Sequence, residues 1–141
     1  MPKRRPIIII EDDQDDQDML EEVMVTLEVK NERRYFDNCQ NALDYLLTTS
    51  EQPFIILSDV NLPRMTGTAL KKKINENEVL REKSIPFIFL TTSNSEQEVQ
   101  QAYEMMVQGY FQKEHSHEKL KQMVKMILDY WSICKHPNTD K

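Results

Sequence analysis

The sequence predicts an α/β fold in which a parallel β-sheet carries helices on both faces. Short, strongly apolar runs alternate with longer segments of helical periodicity, and this β-α order repeats five times along the 141 residues. Such alternation is typical of parallel sheets, because the chain crosses back over the sheet through a helix between one strand and the next. The length allows one domain that buries about 70% of the surface exposed by the unfolded chain.

The first half of the chain supplies three strands. A β-branched run at Ile7–Ile10 is typical of a strand buried on both faces. Residues 34–36 form a weak second strand, and the apolar run at 54–57 forms a third. Asn38 can cap the second helix, and the first helix has apolar residues at the spacing of one helical face. That apolar face consists of Leu20, Val23, Met24 and Leu27.

The second half begins with a loop at residues 61–67, marked by a proline and a glycine. A basic helix follows, and its three lysines at 71–73 are interpreted as its solvent face. The run at 86–90 is a fourth strand, and Ser95 can cap the next helix with Glu98 at capping-box spacing. Gly109–Gln112 is a short fifth strand. The last helix has an apolar face made of Leu120, Val124, Ile127, Leu128 and Trp131.

These elements predict a flavodoxin-like (βα)5 fold, a doubly wound parallel sheet with strand order 2-1-3-4-5. We expect a single domain over residues 1–141, with its core at about 3–133 and a frayed tail after Cys134. Two cysteines without C-x-x-C spacing make no disulfide scaffold. Two glycines are too few for a Gly-rich phosphate loop.

The net charge of −6 argues against broad binding to nucleic acid or anionic membranes. No apolar run approaches the roughly 20 residues that span a bilayer, and no signal peptide is recognisable, so we expect a cytoplasmic protein. The acid surplus is local, because residues 11–22 hold eight acids and no base, leaving 16 acids against 18 bases elsewhere. Four of these acids are interpreted as a solvated helix face: Asp13, Asp15, Asp16 and Asp18.

Ligands of open parallel sheets bind outside the carboxyl ends of the strands, and polar residues follow four of the predicted strands. Glu11 and Asp12 follow the first strand, Asp59 the third, Thr91 the fourth and Lys113 the fifth. Carboxylates this close repel one another unless a cation lies between them, and oxygen ligands without Cys or His favour Mg²⁺. A metal, a lysine and a hydroxyl together supply the positioning and charge neutralisation that phosphoryl transfer needs.

In this order and spacing, the residues resemble the receiver domain of two-component response regulators. The matching parts are Glu11-Asp12, Asp59 with the loop at 61–67, Thr91-Thr92, and Lys113 after Gly109-Tyr110. The spacing also fits, since Thr91 lies 32 residues after Asp59 and Lys113 lies 22 residues after Thr91. The resemblance covers nearly the whole chain. It implies a stand-alone phosphoacceptor that signals and is not an enzyme, with at most slow autodephosphorylation.

The resemblance implies that Asp59 accepts a phosphoryl group from a histidine kinase or a phosphotransfer protein, forming an aspartyl phosphate. It further implies that Mg²⁺ is the cofactor. Asp12 would bind the ion directly, and Glu11 would act partly through water. Asp59 and the backbone carbonyl of Asn61 would complete the protein ligands.

The resemblance also assigns a switch. Lys113 would pair with one phosphoryl oxygen, and Thr91 would move to hydrogen-bond another. Tyr110 would then change its burial and alter the face formed by the fourth helix, fifth strand and fifth helix. A downstream protein partner would bind this face, and a homodimer could form through it. With eight residues after Ile133, no DNA-binding output domain is expected, and no membrane partner is expected.

Three features depart from the family pattern. Glu114 follows Lys113 where proline is usual, so a trans peptide bond is expected there. Residues 105–107, Met-Met-Val, stand where small residues are usual before the fifth strand. The charged segment 75–84 is longer than the minimal family loop. It resembles a subclass of stand-alone receivers, some of which partner phytochrome-type kinases.

Two other functions are open at the level of sequence. A degenerate receiver would act as a protein adaptor without phosphorylation or metal, although the intact set of Asp12, Asp59, Thr91 and Lys113 argues against it. A Mg²⁺-dependent phosphohydrolase with an aspartate nucleophile needs a second aspartate two residues later as general acid. This chain has Asn61 at that position, and an amide cannot shuttle the proton.

Overall fold

Five parallel strands form the centre of the computed structural model, which describes residues 5–137. Their spatial order is β2-β1-β3-β4-β5, which confirms the predicted flavodoxin-like sheet. The strands are β1 (Ile7–Ile10), β2 (Arg33–Phe36), β3 (Ile55–Ser58), β4 (Phe87–Thr91) and β5 (Gly109–Gln112). The register brings the carboxyl ends of the strands to one edge, since Ile10 pairs with Ser58 and Thr91 with Gln112.

In the described part of the chain, six helices cover the sheet, one more than predicted. They are α1 (Gln14–Thr26), α2 (Cys39–Thr48), α3 (Gly67–Glu76), α4 (Glu78–Lys83), α5 (Glu96–Glu104) and α6 (His117–Ile133). Residues of α1 and α6 pack on one face of the sheet, and residues of α2 to α5 pack on the other. The additional helix is α4, which lies in the charged segment predicted as a loop.

The inner strands are buried on both faces, as the β-branched run predicted. In β1, Ile8 and Ile10 face the layer of α2 to α5, whereas Ile7 and Ile9 face α1 and α6. None of these four side chains is more than 2% exposed. Burial of each contributes about 1.5–3 kcal/mol. The edge of the sheet that carries the polar residues is therefore fixed by a well-packed core.

Helix α4 depends on one leucine and on its two caps. The Asn77 side chain accepts a hydrogen bond from the Leu80 backbone N–H at 3.0 Å, and Ser84 ends the helix in the left-handed region at φ 52°. Leu80 is 2% exposed, whereas the adjacent Val79 is 62% exposed. A helix of six residues with one buried apolar side chain leaves no helical period in the sequence, which explains why it was not predicted.

One lysine of the basic helix does not face solvent. Lys71 lies on the buried side of α3 with Leu70 and Ile74 and is only 8% exposed. Its ammonium donates to Asn75 Oδ1 at 2.8 Å and lies 5.9 Å from the centre of the Phe87 ring. The predicted solvent face was therefore wrong for Lys71, because a long aliphatic stem can fill a core position while the charged end finds a polar partner.

After α6, the His136 ring lies 5.8 Å from the Trp131 ring and 5.7 Å from the Phe54 ring, measured between ring centres. The rest of the predicted tail, residues 138–141, and the first four residues lie outside the described residues. Cys39 and Cys134 are free thiols. Within residues 5–137, no helix has the length and apolar character required to cross a membrane.

Candidate functional site

Backbone hydrogen bonds extend the sheet by one residue beyond several strands and carry the polar side chains to one edge. The Asp59 N–H donates to the Ile10 carbonyl at 3.0 Å, and the Lys113 N–H donates to the Thr91 carbonyl at 2.6 Å. Glu11 is held similarly, because its N–H donates to the last carbonyl of β2 at 2.9 Å. The predicted convergence of these side chains follows from this continuation of the strands.

The Asp59 carboxylate lies at the centre of the site, and the residue as a whole is 9% exposed. Its Oδ1 accepts hydrogen bonds from the Val60 N–H at 2.7 Å, the Asn61 N–H at 3.3 Å and the Thr91 hydroxyl at 2.5 Å. Its Oδ2 faces the Lys113 ammonium at 4.0 Å. Three donors therefore hold Oδ1, whereas Oδ2 faces the Lys113 ammonium without a hydrogen bond to it.

Gly67 allows the loop after Asp59 to fold back against it. The Gly67 N–H donates to the Val60 carbonyl at 2.8 Å. A Cβ at this position would lie 2.3 Å from the Asp59 carbonyl oxygen and 2.6 Å from Phe89 Cε1, and both distances are impossible for ordinary atoms. Glycine is therefore required here by close packing of the backbone.

Three carboxylates come together as the sequence predicted. One oxygen from each of Glu11, Asp12 and Asp59 lies within 4.8 Å of the others, and this is the one such group with metal-ligand spacing among the described residues. Glu11 is buried and Asp12 is exposed. Burial is the main cause of the raised pKa of Glu11, and the Asp59 charge adds to it, while Lys113 opposes the shift. Such mutual repulsion and an all-oxygen donor set suit a hard divalent cation.

The Asn61 side chain is exposed. The Asn61 backbone N–H donates to the Asp59 carboxylate. The loop residue predicted to be a metal ligand therefore lies next to the three carboxylates. The peptide bond between Lys113 and Glu114 is trans, since the described residues contain no cis bond.

The Lys113 ammonium is buried among carboxylates, with 9% of its side chain exposed. It forms ion pairs with Glu11 and with Asp16, the latter at 3.0 Å. Burial alone would lower the pKa of Lys113, but hydrogen bonds to Glu11 and Asp16 and the charges of Glu11 and Asp59 raise it. The ammonium therefore stays charged over a wide pH range.

Sequence reasoning missed Asp16, and its interpretation as part of a solvated helix face was wrong. The side chain is half-buried and points to Lys113. The sequence did contain an indication of this burial. Asp16 lies one turn before Leu20 and so shares the buried face of α1. Exposed Asp15 and Asp18 remain consistent with solvation.

A second polar chain leads away from Asp59 towards Tyr110. Thr91 is completely buried, and its hydroxyl accepts a hydrogen bond from the Ser93 N–H at 3.3 Å. The Tyr110 hydroxyl donates to the Ser93 carbonyl at 2.9 Å, and the Ser93 hydroxyl donates to the Glu98 carboxylate. Ser93 was not predicted, because Tyr110 lies 17 residues further along the chain and Glu98 was assigned to a capping box.

Ser95 caps α5 by accepting from the Glu98 N–H at 3.1 Å, so half of the predicted capping box is present. The Glu98 carboxylate instead accepts from Ser93. Burial is the main cause of the raised pKa of Tyr110; the hydrogen bond to Ser93 opposes the shift, and the charges of Glu98 and Asp59 add to it.

The family model of the response regulator receiver domain matches residues 7–125 of this chain. Response regulator Rcp1 of Synechocystis sp. is 32% identical over 130 residues, which are 89% of this chain and 87% of Rcp1.

Solved structures of response regulators are also similar to this chain. The phosphorylated cyanobacterial phytochrome response regulator RcpA matches with a TM-score of 0.86 and 26% identity, over 96% of this chain and 100% of RcpA. The Mn²⁺-bound form of Rcp1 matches with a TM-score of 0.82 and 29% identity, over 94% of this chain and 99% of Rcp1.

Proposed function

The chain belongs to the response regulator receiver family, and from this premise we propose that Asp59 accepts a phosphoryl group from a histidine kinase in a Mg²⁺-dependent reaction. One observation carries the proposal: the Asp59 Oδ2 atom faces the Lys113 ammonium at 4.0 Å, beside the carboxylates of Glu11 and Asp12. A nucleophile, a fixed cation and an acidic group of metal-ligand spacing are thus adjacent.

In the transfer, a carboxylate oxygen of Asp59 attacks the phosphorus atom. The P–N bond to the kinase histidine breaks, and its electron pair returns to the imidazole. Lys113 neutralises charge on one phosphoryl oxygen, and the Thr91 hydroxyl reaches another.

The donor set of the acidic group fits Mg²⁺, since it consists of oxygen atoms alone and its members repel one another. Glu11, Asp12 and Asp59, with the Asn61 backbone carbonyl, are the proposed ligands. When bound, the ion would offset the negative charge shared by the carboxylates and the phosphoryl group. Rcp1 has been crystallised with Mn²⁺, an ion of similar ligand preference.

The proposed output begins when the Thr91 hydroxyl leaves Asp59 for the phosphoryl group. Ser93 and Tyr110 are linked to Thr91 by hydrogen bonds, so Tyr110 would change its burial. The partner-binding face was predicted from the fourth helix, fifth strand and fifth helix. In the structure these elements are α5, β5 and α6, because the additional helix α4 precedes them. We propose that a downstream protein binds this face and that a homodimer could form there.

We further propose that residues 1–141 act as one stand-alone cytoplasmic receiver with at most slow autodephosphorylation. Its kinase would be of the phytochrome type. The support is the similarity to RcpA, a phytochrome response regulator, over the whole length of that protein, and the extended segment occupied by α4. Receivers are signalling domains, so we expect no turnover of a separate substrate.

Intact mass spectrometry tests the proposal. The chain is incubated with Mg²⁺ and either acetyl phosphate or phosphoramidate, and we expect a labile phosphoryl adduct. The adduct should disappear in Asp59→Ala and in the presence of EDTA. Absence of an adduct with every donor would favour the adaptor function. Phosphate release far beyond one equivalent would instead favour a phosphohydrolase.

A further inference from the structure

The Lys113 ammonium has three N–H donors, and two carboxylates occupy two of them. Glu11 accepts from one, and Asp16 Oδ2 accepts from another at 3.0 Å. Towards Asp59 Oδ2 the distance is 4.0 Å, which is too long for a hydrogen bond. Within residues 5–137 the third N–H has no hydrogen-bond partner. The Lys113 side chain borders a cavity that Asp16 and Asp59 also line, so there is space near the ammonium.

A phosphoryl group on Asp59 Oδ2 would place an oxygen in this space. Lys113 could then contact that oxygen while keeping both of its present partners. From this geometry we infer that Asp16 is a positioning residue, which holds the Lys113 ammonium at the distance that a phosphorylated Asp59 requires. The inference rests on the proposed function and concerns how that reaction is prepared.

Asp16 is better suited to this task than Glu11. The other Glu11 oxygen accepts from the Asp13 N–H at 3.1 Å, and Glu11 also belongs to the acidic metal-ligand group. Asp16 lies outside that group. Its backbone is fixed in the first turn of α1, where its N–H donates to the capping side chain of Asp13 at 3.1 Å. It can therefore hold Lys113 whether or not a cation occupies the acidic group.

The test measures the rate of adduct formation in Asp16→Asn, with Mg²⁺ and phosphoramidate in excess. We expect a rate about three- to tenfold below that of the wild type, since loss of one anchor lets the ammonium leave its position. Asp16→Glu should recover most of the rate. Asp15→Asn is the matched control, because it removes the same charge from the same turn at an exposed position. Its rate should stay within about twofold of the wild type.

A double-mutant cycle distinguishes positioning from a general effect on structure or charge. If Asp16 acts through Lys113, Asp16→Asn should have little further effect in a Lys113→Ala background. An equal effect in both backgrounds, a faster Asp16→Asn variant, or a rate matching Asp15→Asn would overturn the inference. Each of these three results would leave the proposed function intact. A wild-type chain that forms no adduct would overturn both.

Discussion

The two oxygens of the Asp59 carboxylate have different surroundings, and this difference bears on which oxygen would react in the proposed phosphorylation. Three donors hold Oδ1, including two backbone N–H groups of the following loop. Hydrogen bonds of this kind stabilise negative charge and lower nucleophilicity. Oδ2 faces the Lys113 ammonium at the longer distance of 4.0 Å. In the proposed reaction, attack through Oδ2 would leave the loop and Thr91 in place until the phosphoryl group has arrived.

Gly67→Ala tests the close packing behind this carboxylate. The new Cβ would lie 2.3 Å from the Asp59 carbonyl oxygen, so we expect the free energy of unfolding to fall by about 2–3 kcal/mol. Phosphorylation should slow as well, because Asp59 must move. Urea denaturation measures the first effect.

Gly109→Ala is the control for this substitution. The nearest atoms to its Cβ would belong to side chains, with Phe111 Cε2 at 3.0 Å and Ile88 Cγ1 at 3.8 Å, and a side chain can move aside more readily than a backbone carbonyl. A loss of stability for Gly109→Ala as large as that for Gly67→Ala would contradict the packing argument.

At the scale of elements, one carboxylate ties α1 to β2. Glu21 accepts hydrogen bonds from Arg33 at 3.0 and 2.5 Å and from the Tyr35 hydroxyl at 2.7 Å. The bond from Arg33 is the main cause of the lowered pKa of Glu21. The same interaction raises the pKa of Arg33.

Glu21→Gln tests this link through its pH dependence. The Glu21 carboxyl, at 39% exposure, is screened by solvent, so we expect a loss of only about 1 kcal/mol at pH 7. Because the folded pKa is lowered, the stabilisation is present above the ordinary value of 4.5 and is lost as the pH falls through the folded value. Thermal unfolding from pH 7 to pH 3 should show the two proteins converge. Glu22→Gln, at an exposed neighbour, should show no such convergence.

Helix α4 should depend on its single buried leucine. Leu80→Ala is expected to lower the free energy of unfolding by about 2–3 kcal/mol, since it empties a packed site between helices. Val79→Ala, at the adjacent exposed position, should change it by less than about 0.5 kcal/mol. Equal effects in urea denaturation would mean that α4 does not pack as described.

The elements that sequence reasoning predicted correctly share one physical property. β1, β3 and β4 are apolar runs buried on both faces, and the long helices α1 and α6 have full apolar faces. Burial of these elements therefore requires a recognisable pattern of apolar residues in the sequence. The features that were missed have no such pattern. Lys71 is a charged residue at a buried position, and Asp16 is one at a half-buried position. The Phe87 ring beside Lys71 and the Lys113 partner of Asp16 belong to distant parts of the chain, and only the assembled fold brings them within reach.

At the scale of the whole molecule, the concentration of acids at residues 11–22 should make stability depend on Mg²⁺. An ion that binds only the folded state stabilises it by about 2.7 kcal/mol at one hundred times its dissociation constant. We therefore expect the midpoint of thermal unfolding to rise with Mg²⁺ and to return to its starting value with EDTA.

Asp12→Asn should remove most of this dependence, because it takes one carboxylate from the acidic group. Without Mg²⁺, the variant should be at least as stable as the wild type, since repulsion is relieved. Asp15→Asn should keep the dependence. A response to Mg²⁺ that is the same in both variants would point to screening of the general acidic field rather than to a site.

The ion pair between Lys113 and Glu11 joins residues 102 positions apart, and this has a consequence for synthesis and folding. Glu11, Asp12 and Asp59 all leave the ribosome well before Lys113, so a partly synthesised chain contains every acid of the site without its cation. Contacts of such long range form slowly, and β5 is an edge strand of the sheet and the last strand in sequence. Competence to accept a phosphoryl group should therefore appear only when the last strand has docked. A kinase would then find a functional acceptor only on a chain whose sheet is complete.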